Sequence, residues 1–199
     1  MRKKPRQQRS RQMVDTLIEA TAQAVIDRGL EGLTTHHIAE QAGVSVGSLY
    51  QYFDDKNALI NALIEKLANE IVLALHKLPM SKSGELHTNV ELFIRFGFGL
   101  LNSRDGLYVE LVRNWHSLPT TRVMDTLQQS FMDLSRIYFL RHYQDTPIED
   151  LHVRIFIIAN SVMFTMVRFM GQPPMLVSQD EVINGLTNMV VGYLQDATA

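Results

Sequence analysis

The side chains with the densest hydrogen-bonding chemistry lie in one stretch, residues 34–56, TTHHIAEQAGVSVGSLYQYFDDK. Its hydroxyls, amides, imidazoles and one ammonium are donors and acceptors. They suit phosphate oxygens and base edges better than bond-making chemistry. Reaction motifs are missing from the rest of the chain. There is no G-x-S-x-G, no P-loop, no H-E-x-x-H and no paired carboxylate that stands apart from solvated helix faces. His36 and His37 are adjacent, so on a helix they point to different faces and cannot share a metal. The chain has no cysteine, which removes thiolate ligands, disulfides and a cysteine nucleophile. The expectation is a protein that is not an enzyme and carries no metal or cofactor.

Two short helices and a tight turn must position these groups. Thr34 stands where an N-cap belongs, and Ile38, Ala39 and Ala42 recur at helical spacing. Gly43 supplies the backbone freedom of a sharp turn, Val44 pins it, and Ser45 is the next N-cap. In the second helix, from Ser45 to Phe53, only Leu49 and Phe53 are core-directed. Val46, Gly47, Ser48, Tyr50, Gln51 and Tyr52 are left outward. Small residues allow close approach to a groove, and hydroxyls and amides reach into it. On spacing alone, an ordinary helix hairpin in an all-α core remains open.

Composition is that of a globular chain: 199 residues, 46% hydrophobic and 20% charged. The net charge of −2 hides an asymmetry. Arg2, Lys3, Lys4, Arg6, Arg9 and Arg11 stand in the first 12 positions with no acid. That leaves 13 basic against 21 acidic residues elsewhere, a balance of −8. A basic end on an acidic body suits a polyanion partner at that end. Residues 1–9 are polar, contain Pro5 and lack an apolar period, so they are expected to be a disordered arm or a solubilising tail. No apolar run follows the basic start, so no signal peptide is expected. The most apolar run, Ile155 to Val167, is broken by Asn160, Ser161 and Thr165. It reads as too short and too polar to span a bilayer. A cytoplasmic protein without a membrane segment is expected.

The stretch resembles the DNA-binding signature of the TetR family of bacterial repressors. The resemblance runs through Leu33-Thr34-Thr35, Ile38-Ala39, Ala42-Gly43-Val44-Ser45, Leu49-Tyr50, Tyr52-Phe53, Lys56 and Leu59, about the first quarter of the chain. It implies that Thr34, Thr35, Ser45, Tyr52 and Lys56 hold phosphates. His36, Val46, Gly47, Ser48, Tyr50 and Gln51 would face bases or the sugar edge. Arg2, Lys3, Lys4 and Arg6 would follow the backbone or enter the minor groove. Gln51 departs from the aromatic residue often found there, and His36 from a basic or small one. The resemblance further implies a double-stranded DNA operator, a homodimer and an unidentified small-molecule effector. A ligand-released repressor is the leading reading. An activator or corepressor-dependent regulator, or an enzyme or small-molecule carrier, is the alternative.

The remaining pattern is helical throughout, which gives an all-α fold. A three-helix DNA-binding domain over residues 1–56 precedes a larger helical effector-binding and dimerisation domain over 57–199. Val14, Leu17, Ile18, Ala22, Val25 and Ile26 form the stripe of a first helix that Gly29 ends. Asp54 or Asp55 caps a long helix from Lys56 to Leu78 that joins the domains, and Pro79 stops it. Ser81-Lys82-Ser83-Gly84 reads as a loop. Further helices are expected over 88–104, to about His116, from Ser117-Leu118-Pro119 to about Tyr143, over 148–170 and over 179–195. Capping boxes at Thr146–Glu149 and Ser178–Glu181 open the last two. Gly97-Phe98-Gly99 is not a dinucleotide fingerprint, because Asn102 stands at the third glycine. Phe93, Phe96, Phe98, Tyr108, Trp115, Phe131, Tyr138, Phe139, Phe156, Met163, Phe164 and Met166 could line an apolar pocket or simply pack a core. Trp115, His116, Asn160 and Arg168 would be its polar handles. The last two helices, broadly apolar, would form half of a four-helix dimer interface through Ile155, Val162, Met166, Val182, Leu186, Met189, Val190 and Tyr193.

Overall fold

The computed structural model describes residues 4–78, 86–118, 121–142, 148–172 and 176–195. The expected arm residues Arg2 and Lys3 lie outside them, as do Pro79, the loop Ser81–Gly84, Thr146-Pro147 and Pro173-Pro174. Nothing is described of the side chains of residues 4–7, 141 and 142. Every regular element among the described residues is helical: α1 (Lys4–Arg28), α2 (Thr35–Gln41), α3 (Val46–Leu49), α4 (Lys56–His76), α5 (Leu86–Leu101), α6 (Leu107–Arg113), α7 (Thr121–His142), α8 (Leu151–Met170) and α9 (Gln179–Gln195).

Helix α1 begins at Lys4, so residues 4–9 are helical rather than disordered. Pro5 falls in its first turn, where a missing N–H costs nothing, and the Gln and Arg residues that follow are good helix formers. The helix is also buried on more than its expected stripe. Leu17, Ile18, Ala22 and Val25 face inward, but so do Ala20, Thr21 and Ala24. Helix α1 contacts α6 as well as α2 and α4, and Leu107, Tyr108 and Leu111 of α6 join the same apolar cluster as α1–α4. Helix α4, 21 residues and therefore about 31 Å long, buries Leu59 and Leu63 in that cluster. Asp55 caps it by accepting from the Ala58 N–H at 2.8 Å.

A second cluster forms between α5, α7, α8 and α9 around Ile94, Phe98, Phe139, Ile155, Ile158 and Ile183. The Met166 side chain of α8 reaches over Gly97 of α5, where a Cβ would stand 2.4 Å from its Cε and push that flexible end aside. Helix α9 carries its capping box: Glu181 accepts from the Ser178 N–H at 2.8 Å, and the Ser178 hydroxyl accepts from the Glu181 N–H at 3.3 Å. Helix α8 starts at Leu151, after Asp150 in the left-handed region at φ 49°.

Two expectations about α8 and α9 change. By length and composition alone α8 suffices to cross a membrane, with a mean hydropathy of 1.6 over its best window. In the fold it packs against α5, α6, α7 and α9. Most of the expected interface residues also turn inward. Ile155, Val162, Met166, Leu186 and Val190 are buried in the chain's own core. Val182 packs on that core. Tyr193 lies under the Arg154 guanidinium, 4.7 Å from its ring centre. Of the set, Met189 faces solvent, and α8 exposes a stripe of its own formed by Val153, Phe156, Ile157 and Phe164. The broad apolar pattern did not distinguish which side of each helix its own domain would cover.

Candidate nucleic-acid interface and effector cavity

Backbone caps hold the two short helices in place. The Thr34 hydroxyl accepts from the His37 N–H at 3.2 Å, and the Ser45 hydroxyl accepts from the Ser48 N–H at 3.1 Å. Between them Gly43 takes φ +66°, the left-handed turn its type permits. Ile38, Ala39 and Leu49 are wholly buried beneath. Helix α3 is shorter than the expected nine residues. Its hydrogen bonding nevertheless continues as a tightened turn, with the Tyr52 N–H donating to the Leu49 carbonyl at 3.0 Å.

The outward face is open. Thr34, His36, Ser45, Gly47, Tyr50, Gln51 and Tyr52 are exposed, and Thr35, Val46, Ser48 and Lys56 are half-buried. A Cβ on Gly47 would meet nothing closer than the Ser45 Oγ at 3.9 Å. Two internal contacts shape this face. The Tyr50 and Thr35 hydroxyls lie 3.2 Å apart, tying α3 to the start of α2. The Ser45 and Ser48 hydroxyls lie 2.9 Å apart, so the Ser48 oxygen is already oriented. Lys4 and Arg6 sit in the first turn of α1.

Behind this face α4 runs directly into empty space. One cavity, about 1210 Å³ with its open mouth, is bordered by Ile64, Leu67, Ala68, Ile71 and Leu75 of α4. Phe93, Phe96, Tyr108, Trp115, Phe131 and Met163 of the expected pocket residues line it too. A second, of about 810 Å³, is lined by Phe93, Phe131 and Tyr138 together with Asn89 and Ser135. Phe98 is fully buried core instead. His116, Asn160, Phe164 and Arg168 are exposed and are not among the residues lining either cavity. The Asn160 amide instead donates to the Phe156 carbonyl along α8. Asn89 and Ser135 were missed. The available signal was a polar residue in register with an apolar stripe, since Asn89 lies one turn before Phe93.

A polar seam joins α1 and α4 to the turn before α6. Arg104 donates to Glu70 at 2.7 Å and stands 3.7 Å from Glu19, which also accepts from Lys66 at 2.9 Å. The Lys66 hydrogen bond, helped by its charge and that of Arg104, holds the Glu19 carboxyl below its ordinary range. The turn that presents Arg104 is strained at two residues, Arg104 and Asp105, which take φ of 55° and 49° before Gly106 at 86°. Nearby, the Glu110 carboxylate accepts from the Leu30 N–H at 3.0 Å and from the Asn114 amide at 3.1 Å. Tyr108, which touches the larger cavity, is buried enough that desolvation pushes its hydroxyl up.

These features define an all-helical helix-turn-helix protein whose long fourth helix borders both a compact reading head and a hollow helical body. Residues 17–63 match the family described as bacterial regulatory proteins, tetR family. The HTH-type transcriptional regulator BetI of Escherichia coli is 37% identical over 71 residues. That match spans 34% of this chain and 36% of the relative's length. Among solved structures, a TetR-family regulator from Mesorhizobium loti superposes with TM-score 0.72 at 19% identity, covering 96% of this chain and 99% of its own. The repressor AlkX of Dietzia, implicated in n-alkane biodegradation, does so with TM-score 0.64 at 22% identity, covering 92% and 96%. The chain thus resembles the tetR family of bacterial regulatory proteins, in sequence over about its first third and in fold over nearly its whole length.

Proposed function

We propose that this protein is a DNA-binding transcriptional regulator, a repressor that binds a palindromic operator as a homodimer and is released by a small, largely apolar effector. It would act in the cytoplasm, where its operator is. The observation that carries this reading is the exposed face of small and hydrogen-bonding side chains on α3, mounted on a buried anchor of Ile38, Ala39 and Leu49. Val46, Gly47, Ser48, Tyr50 and Gln51, with His36, are the groups for base edges and sugars. Thr34, Thr35, Ser45, Tyr52 and Lys56 are the groups for phosphates, and Arg2, Lys3, Lys4 and Arg6 supply further positive charge for the backbone or minor groove.

Residues 1–56 form the reading unit and 57–199 the sensing unit. Helix α4 supports their coupling, because it packs under the reading head and borders the cavity. An effector shifts the equilibrium only if it binds the DNA-incompetent arrangement better, and operator DNA then weakens effector binding by the same factor. The dimer face supported by exposure is Val153, Phe156, Ile157 and Phe164 of α8 with Met189 of α9. Two-fold pairing would present the two α3 helices about 34–36 Å apart, or a multiple of that. Selection of bound sequences from a random duplex pool tests the reading. A palindromic consensus is expected; no duplex retained even at low salt would overturn it.

A further inference from the structure

We infer that the effector is an uncharged, elongated amphiphile, with its tail in the larger cavity and a neutral hydrogen-bonding head beside Asn89 and Tyr138. This rests on the reading of the cavity as an effector site and names the class of molecule that fits it. The two cavities share Leu75, Phe93, Phe131 and Val162 in their walls, so they are neighbouring chambers. The Phe93 and Phe131 rings, edge to face with centres 5.1 Å apart, stand at the waist between them. A change of rotamer at either ring is the motion that would join the two chambers.

The chemistry of the walls differs from end to end. The larger chamber is bounded almost wholly by aliphatic, aromatic and methionine side chains. The smaller one carries a polar cluster: the buried Asn89 amide donates to the Tyr138 hydroxyl at 3.1 Å, and Ser135 lies one turn before Tyr138 on α7. An amide and two hydroxyls can each donate and accept, as an alcohol, amide or ester head requires. Among the described residues, no Asp, Glu, Lys, Arg or His lines either chamber. Against the described walls a carboxylate or quaternary ammonium would therefore meet no counter-charge, and burying an unpaired ion in such a site costs far more than one hydrogen bond returns.

The experiment uses the full-length protein and four probes of equal chain length at pH 8: decan-1-ol, decane, decanoate and decyltrimethylammonium. Binding is read without DNA from the fluorescence of Trp115, the single tryptophan, which lines the larger chamber. Decan-1-ol is expected to bind about a hundredfold or more tighter than either ion and about three- to tenfold tighter than decane. Asn89→Leu should erase the alcohol's margin over decane while leaving decane binding intact; Ser135→Ala gives a milder version should the first variant fold poorly. Equal or tighter binding of decanoate or decyltrimethylammonium would overturn the inference, as would an alcohol margin that survives both variants. Neither result touches the regulator reading, which stands or falls with operator binding; release of operator by an ionised probe alone would leave that reading intact while removing this one.

Discussion

The two ends of α4 live in opposite environments. Its first half closes a dense core in which Leu17, Leu33, Ile38, Leu49, Leu59 and Leu63 are essentially inaccessible. Its second half borders space, and the aromatic residues facing it, Phe93 and Phe131, are only partly buried. A closed core holds the short α3 at a fixed angle, and an unfilled one can be filled. One rigid element spans both, so whatever enters the hollow end meets the same helix that supports the reading end.

That contrast can be broken by equivalent truncations. Leu49→Ala should cost about 2–5 kcal/mol, because it opens a cavity where none exists, and should abolish DNA binding as the head unfolds. Phe93→Ala only enlarges an existing space, so thermal melts should show much less than the roughly 3–5 kcal/mol of a core phenylalanine. Equal losses would mean that the body is as tightly packed as the head.

The seam between the halves is the next test. Glu110→Ala leaves the Leu30 N–H without its acceptor and should cost about 1–3 kcal/mol in a denaturant titration. On the reading face, effects should divide by role. Substitutions at Ser48 or Gln51 should change the preferred operator by about 1–3 kcal/mol per altered base contact; a uniform loss across operators would reject them as readers. Lys56→Ala should weaken all duplexes and flatten the salt dependence by about one unit, and an unchanged slope would count against a phosphate role.

The smallest effect concerns pH. The Glu19 carboxyl is lowered in the folded protein, chiefly by its hydrogen bond from Lys66, so its contribution is complete above the ordinary glutamate value of 4.5. That contribution fades as pH falls through the lowered folded value. Both groups are substantially exposed, so wild type should exceed Glu19→Gln by only about 0.2–1 kcal/mol at pH 7. The gap should close on acidification. A gap that persists in acid would place the stabilisation elsewhere.

Much of the head was legible because its signals are local. Thr34, Gly43, Ser45 and Asp55 each act within four residues of themselves, and each performs the cap or turn its type suggests. The body was legible only as helices. Whether Ile155, Val162 and Met166 face inward, or Phe164 outward, depends on where α5, α7 and α9 sit, and an apolar period reports only that a side is covered. The polar cluster at Asn89 and Tyr138 joins α5 to α7 across 49 residues, a contact that spacing cannot reveal. The start of α1 departs from the expected disorder for a different reason: its polar, basic residues favour a helix once the apolar stripe behind them nucleates one.

The most direct test of the reading face is Gly47→Glu, measured as affinity for the selected duplex alongside a thermal melt. Gly47 lies in α3 with open space where a side chain would go, so the variant should fold with an unchanged or slightly higher Tm. The new carboxylate would stand on the outward surface of α3, and binding should fall by about a hundredfold or more. A variant that melts like the wild type and still binds duplex with full affinity would contradict the account.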